Sequence, residues 1–195
     1  MRYFEKKILT ELKEKGLYYR SVDELCQQKS LEPIVVETIL KWLPDLYSEN
    51  NAIADSLVRL LKMAREPFDP ALLINIFENS DLNFYLKSAV ALTLSYARTP
   101  DISSWIKDQL SSKDYAVEKH GLIDGLRSKG GFRSDREFMD FLKEIFNKYH
   151  NNTVLKIFQK YGDKDDFKFL EEKAKTADLK LAKEIRKAIE KKRID

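Results

Sequence analysis

Cysteine is nearly absent. Cys26 is the only one in 195 residues, which excludes an internal disulfide and any zinc site built on several cysteines. It reads as a small core residue on a short N-terminal helix. The two histidines, His120 and His150, have no metal-ligand spacing, and no metal or other cofactor is expected. Five prolines and six glycines are too few for an all-β fold built on many tight turns. Neither sign of charge dominates. Lys and Arg number 35 against 32 Asp and Glu, a formal net charge of +3, too weak to argue for nucleic acid by itself. No glycine-rich phosphate loop, zinc signature or nucleophile elbow occurs. The opening residues Met-Arg-Tyr-Phe-Glu-Lys-Lys hold no apolar signal-peptide core. A reducing cytoplasm is the expected location.

Long apolar runs are missing too. The most apolar stretch is residues 80–98, and its uninterrupted part, from Ser88 to Ala97, is about half of what a membrane-spanning helix needs. As a strand it would be very long. On a helix it sorts into a wide apolar face of Leu82, Leu86, Ala89, Val90, Leu92, Thr93, Tyr96 and Ala97. A narrow opposite stripe holds Lys87, Ala91, Ser95 and Arg98. Such a helix is expected to be covered on several sides.

What is present is helix after helix, in pairs. Residues 3–15 are amphipathic. Ser21-Val-Asp-Glu24 and Ser134-Asp-Arg-Glu137 are capping boxes, each opening a helix. Pro33, Asn51, Asp69-Pro70, Asp81, Thr99-Pro100 and Asp114 open the segments 33–47, 51–64, 70–79, 82–98, 100–111 and 115–128. Helices at 135–149, 152–161, 165–176 and 179–193 complete the chain. The acidic groups Asp163 to Asp166 and Glu171-Glu172 read as helix starts, where the dipole favours them.

The second helix of each pair begins with Asn or Asp and has an apolar residue three positions on: Asn51/Ala54, Asp81/Phe84, Asp114/Val117, Asn151/Val154 and Asp178/Leu181. Successive starts lie 30, 33, 37 and 27 residues apart, the period of an α-solenoid. The Asp-x-x-apolar start and the body Ala-Val-Ala-Leu-Thr-Leu-Ser-Tyr-Ala (89–97) resemble the second helix of HEAT repeats. The chain also resembles small bacterial HEAT-like proteins with no assigned activity. The resemblance implies an all-α, right-handed α-solenoid of about five HEAT-like helix pairs over residues 32–195, with an N-terminal helical cap over 1–31. It departs from the family after the apolar position. An Arg there often forms an Asp–Arg ladder between repeats, but here the position holds Asp55, Tyr85, Glu118, Leu155 and Ala182.

HEAT-like arrays commonly line their concave face with second helices. The resemblance therefore implies a partner-binding surface made of their polar stripes: Asp55, Arg59 and Lys62; Lys87, Ser95 and Arg98; His120, Asp124 and Arg127; Lys156 and Lys160. That groove is mixed but mostly basic and suits an acidic or mixed-charge protein surface. The expected function is a non-catalytic protein-interaction module, or scaffold, with no membrane contact. Phe84 and Leu94 lie near the polar side and are candidate anchors. Gly121 and Gly125 share one helical face, and glycine costs about 1 kcal/mol there relative to alanine, so something approaches that backbone closely. His120 and Asp124 are close enough to touch, but no serine or cysteine nucleophile is placed beside them.

Nucleic acid is the other class to weigh. Residues 168–195 hold ten Lys and Arg against six Asp and Glu, a basic tail that could contact it or cap the array. Some DNA glycosylases for alkylated bases are HEAT-like and line a basic groove with tryptophan and Asp. Here Trp42 and Trp105 fall on first helices and read as core. The connection 128–134, Ser-Lys-Gly-Gly-Phe-Arg-Ser, is the longest flexible segment, either a binding loop or an insertion.

Overall fold

A computed structural model of the chain describes every residue except 1–2, 50, 80–81, 113, 115, 150–151 and 195. Among the described residues the fold is all-α, as expected. The helices are α1 Tyr3–Glu14, α2 Val22–Cys26, α3 Pro33–Glu49, α4 Asn51–Leu60, α5 Ala71–Glu78 and α6 Phe84–Tyr96, followed by α7 Ser103–Ser111, α8 His120–Lys129, α9 Asp135–Ile145, α10 Asn152–Tyr161, α11 Lys164–Thr176 and α12 Leu179–Ile194. Among the same residues the one β pairing is an isolated parallel bridge between Leu31 and Ala64. No described helix is long and apolar enough to cross a membrane.

Side-chain caps set several starts. Ser21 and Ser134 accept from the backbone N–H of Glu24 and Glu137, each at 3.1 Å. The two glutamates do not return to the cap's own N–H, as a capping box requires. They accept instead from the residue before it, Arg20 at 2.7 Å and Arg133 at 2.8 Å. The fully reciprocal box is at α11, where Asp163 caps Asp166 and Asp166 accepts from Asp163. Glu171 and Glu172 fall within α11, not at a helix start. The helix α6 begins two residues later than the repeat pattern implies, because Asn83 Oδ1 accepts from Leu86 N–H at 3.0 Å; Asp81 lies outside the described residues, as do His150 and Asn151. Asp114 does not open an α-helix directly. A 3-10 turn, Val117–Lys119, leads into α8. The start at Asp178 holds, with Leu181 N–H donating to Asp178 Oδ1 at 2.9 Å.

Each odd-numbered helix from α3 to α11 packs against the even-numbered helix that follows. Consecutive even-numbered helices also touch, from α4 through α6, α8 and α10 to α12. The first two helices cover the near end, α1 on α3 and α2 on α4. The core runs continuously between these layers, from Ile8 and Leu12 through Leu57, Val90 and Leu126 to Phe158 and Ile185. Cys26 is half-buried against it, and burial raises its thiol pKa.

The odd-numbered helices are joined by polar bridges. Glu11 on α1 accepts from Lys15, Lys41 and the indole of Trp42. These donors hold its carboxyl down at about 2, against partial desolvation. Glu78 on α5 takes the indole N–H of Trp105 on α7 at 2.8 Å. Lys107 on α7 lies 3.8 Å from Glu137 on α9. On α9, Arg136 and Lys143 bridge to α11, where Asp166 is only 2% exposed.

An Asp–Arg ladder is not expected from the repeat starts, but basic residues at or just after the ends of the even-numbered helices link successive turns. Arg65 bonds Ser30 at 2.7 Å and pairs with Glu32. Arg98 donates to the Arg65 carbonyl at 2.6 Å. Lys129 reaches Thr99 at 3.2 Å.

The connection 128–134 is pinned. Phe132 packs against Phe138 and Phe141 and lies under the Lys107 ammonium, 4.4 Å from its ring centroid. Gly131 there has φ +61°, a left-handed backbone that favours glycine.

Candidate functional site

The exposed stripe of α6 is not the one its composition marks out. Ala91 and Ser95, read as solvent-facing, are 0% and 1% exposed. Leu94, a candidate anchor, is fully buried. Tyr96, placed on the apolar face, is 56% exposed, and Tyr85 is 73% exposed. These tyrosines are eleven residues apart, about three helical turns, and so share a face. Phe84 stays exposed with its ring edge-on to Tyr85.

The physical reason lies on the neighbouring helix. A Cβ at Gly121 would meet Ala91 Cβ and the Leu92 nitrogen at 2.9 Å. One at Gly125 would meet the Ser95 Cβ and carbonyl at 2.5 Å. The close partner of the two glycines is therefore a helix. Small residues on both sides let α6 and α8 approach backbone to backbone, and Ser95 Oγ donates to the Gly121 carbonyl at 2.7 Å. On the opposite flank of α6, Thr93 donates to the Val58 carbonyl of α4 at 2.9 Å. Clamped from both sides, α6 turns Tyr85 and Tyr96 outward.

The next joint is different. The contact of α8 with α10 is slight compared with its contact with α6. A cleft of about 210 Å³ opens between them, over α9. Four of the expected binding residues line it: Asp124 and Arg127 from α8, Lys156 and Lys160 from α10. Ile123, Ile157, Phe138, Thr153 and Tyr161 complete the lining. Arg127 is fixed. Its guanidinium bonds Asp135 at 2.7 Å and lies 4.3 Å from the Tyr161 ring centroid. The Lys160 ammonium is 5.1 Å from the same centroid. Partial desolvation raises the Asp124 pKa, opposed by the charges of His120 and Lys156.

The other expected residues lie apart from this cleft. Arg59 forms a two-bond pair with Asp55, at 2.9 and 3.2 Å. Lys62 sits in the 3-10 turn after α4. Lys87 is half-buried on α6. Arg98 is committed to the Arg65 carbonyl. His120 is half-buried, its ring edge-on to Tyr149 with centroids 5.7 Å apart.

One cationic cluster carries no sequence signature. Lys119 is buried and donates to Ser112 Oγ and the Asp114 carbonyl, while Lys148 donates to the carbonyls of Ser111 and Ser112 at 2.7 and 2.6 Å. Desolvation lowers the Lys119 pKa. The Ser112 hydroxyl also donates to the Gln109 carbonyl at 3.1 Å. Lys148 thus satisfies free carbonyls ending α7, where the helix dipole favours cations, and Lys119 braces the turn that follows.

Among the described residues no group of His, Cys, Asp and Glu could hold a metal ion. The cleft lining offers no serine, cysteine or histidine as nucleophile or base. Trp42 and Trp105 are held in the odd-numbered layer by Glu11 and Glu78. The lining brings together charge, aromatic surface, the Thr153 hydroxyl and a small apolar recess. Comparison with protein-family models, with curated proteins and with solved structures finds no match for this chain.

Proposed function

We propose that residues 32–195 form a right-handed α-solenoid of about five HEAT-like helix pairs, capped by residues 1–31. On this reading the chain is a non-catalytic protein-interaction module of the cytoplasm, and its partner lies along the even-numbered helices. The pairing of odd with even helices and the contacts along the even row support the architecture. The observation that carries the function is the exposed face of α6. Two tyrosines, Tyr85 and Tyr96, stand out into solvent on a helix clamped from both sides. The Asp55–Arg59 pair lies on the preceding even helix, and the charged cleft beyond the following one. Rigid aromatics among charges are what protein interfaces concentrate, since tyrosine supplies large contact area at small entropic cost.

The test is retention from native lysate on immobilised protein, read by mass spectrometry and nucleic-acid staining. Wild type is compared with a Tyr85→Ala/Tyr96→Ala variant whose helical content is verified by circular dichroism. The proposal expects a protein held by wild type and depleted roughly tenfold or more on the variant. Identical protein sets on both, or recovery of nucleic acid alone, would contradict it.

A further inference from the structure

The cleft between α8 and α10 supports a more specific assignment, which rests on the interaction-module reading. Its volume of about 210 Å³ falls below the roughly 300–1,000 Å³ of sites that enclose a small molecule or cofactor. It has room for one large side chain. Ile123 and Phe138 form its buried floor, and the apolar surface open to a ligand comes from the part-exposed Ile157 and Tyr161. The charges around it are unequal in commitment. Arg127 is already paired with Asp135 and stacked on Tyr161. Lys156 and Lys160 are exposed and make no ion pair among the described residues. They are the cations left to attract a ligand. Asp124 adds a carboxylate to the lining.

We propose that this cleft receives an apolar side chain from an acidic segment of a partner protein, with the flanking carboxylates of that segment meeting Lys156 and Lys160. Charge complementarity selects this occupant. A basic segment would meet Lys156, Lys160 and Arg127 with like charge. A phosphate-rich strand would bring negative charge up to Asp124 along its whole length. An apolar residue between acids buries its side chain in the recess and confines its charge to the lysines.

The test is fluorescence anisotropy with the full chain and a labelled peptide, Glu-Asp-Phe-Asp-Glu. Controls are the same peptide with Phe replaced by Ala, a Lys-flanked version and a labelled single-stranded oligonucleotide. Methyl NMR follows Ile123 and Ile157. The expected result is saturable binding of the acidic Phe peptide, shifted Ile123 and Ile157 methyls, and roughly tenfold weaker binding by Lys156→Glu/Lys160→Glu. The Ala and Lys-flanked peptides should bind far more weakly. No saturable binding, equal affinity for the charge-reversed variant, or tighter binding of the oligonucleotide would overturn the assignment. The Tyr85→Ala/Tyr96→Ala variant should bind the peptide as wild type does. Peptide binding therefore bears on the cleft, and lysate capture on the face as a whole.

Discussion

The helix α8 makes two joints in the even-numbered row, and they are opposites. Toward α6 it presents Gly121 and Gly125, and the two backbones come together over Ala91 and Ser95. Toward α10 it presents Ile123, Asp124 and Arg127, and those side chains line an open cleft. Close packing at the first joint leaves no room for a ligand. Bulk and charge at the second leave a recess with uncommitted cations. On the proposed reading, the tight joint holds the tyrosine face of α6 rigid and the loose joint adds a recess beside it.

The comparison breaks most visibly at Gly125. Gly125→Ala would gain about 1 kcal/mol of helix propensity. Its Cβ, however, would lie 2.5 Å from the Ser95 carbonyl, and backbone cannot step aside as a side-chain tip can. Overpacking should win, with a net loss of about 2 kcal/mol in urea denaturation. A stabilised Gly125→Ala would show that the two helices are not in backbone contact. Ser95→Ala removes the bond to the Gly121 carbonyl and should cost about 1 kcal/mol. At the open joint, Thr153→Ala should change stability by less than about 0.5 kcal/mol. A loss there as large as at Gly125 would erase the distinction between the joints.

The smallest effect is electrostatic. The Asp124 pKa is raised because partial desolvation disfavours its charge. A carboxyl raised in the folded state stabilises the fold when protonated, and that contribution is lost as pH rises through the folded pKa. Asp124→Asn should therefore be slightly stabilising at neutral pH, by roughly 0.5 kcal/mol or less. Lys156→Met should push the Asp124 titration higher still, read by carboxyl NMR, because Lys156 opposes the desolvation. An unmoved titration would place Lys156 away from the cleft carboxylate.

How much of this is legible without coordinates varies by residue. The helical class and the pairs follow from apolar periodicity and from starts such as Ser134 and Asp178. The four cleft residues Asp124, Arg127, Lys156 and Lys160 lie on polar stripes that local pattern finds. The outward face of α6 is not legible, because Ala91 and Ser95 are small enough to suit either environment. Their burial is decided by two glycines 30 residues further along. Tyr96 has the converse problem, since a tyrosine counts as core by composition. The capping glutamates Glu24 and Glu137 miss their expected partners by one residue, since the return bond depends on the chain path before the cap. The cleft itself has no local signal. It depends on how far side chains on two helices hold their axes apart.

Site-specific photocrosslinking in native lysate would show whether a partner lies along the even-numbered helices. A benzophenone amino acid would replace Tyr85, Tyr96 or Lys156 on the even-numbered helices, and Glu144 or Lys168 on the odd-numbered ones. One shared protein adduct is expected from Tyr85, Tyr96 and Lys156, and none from Glu144 or Lys168. Adducts of that protein from the odd-numbered helices alone, or none from any position, would contradict it.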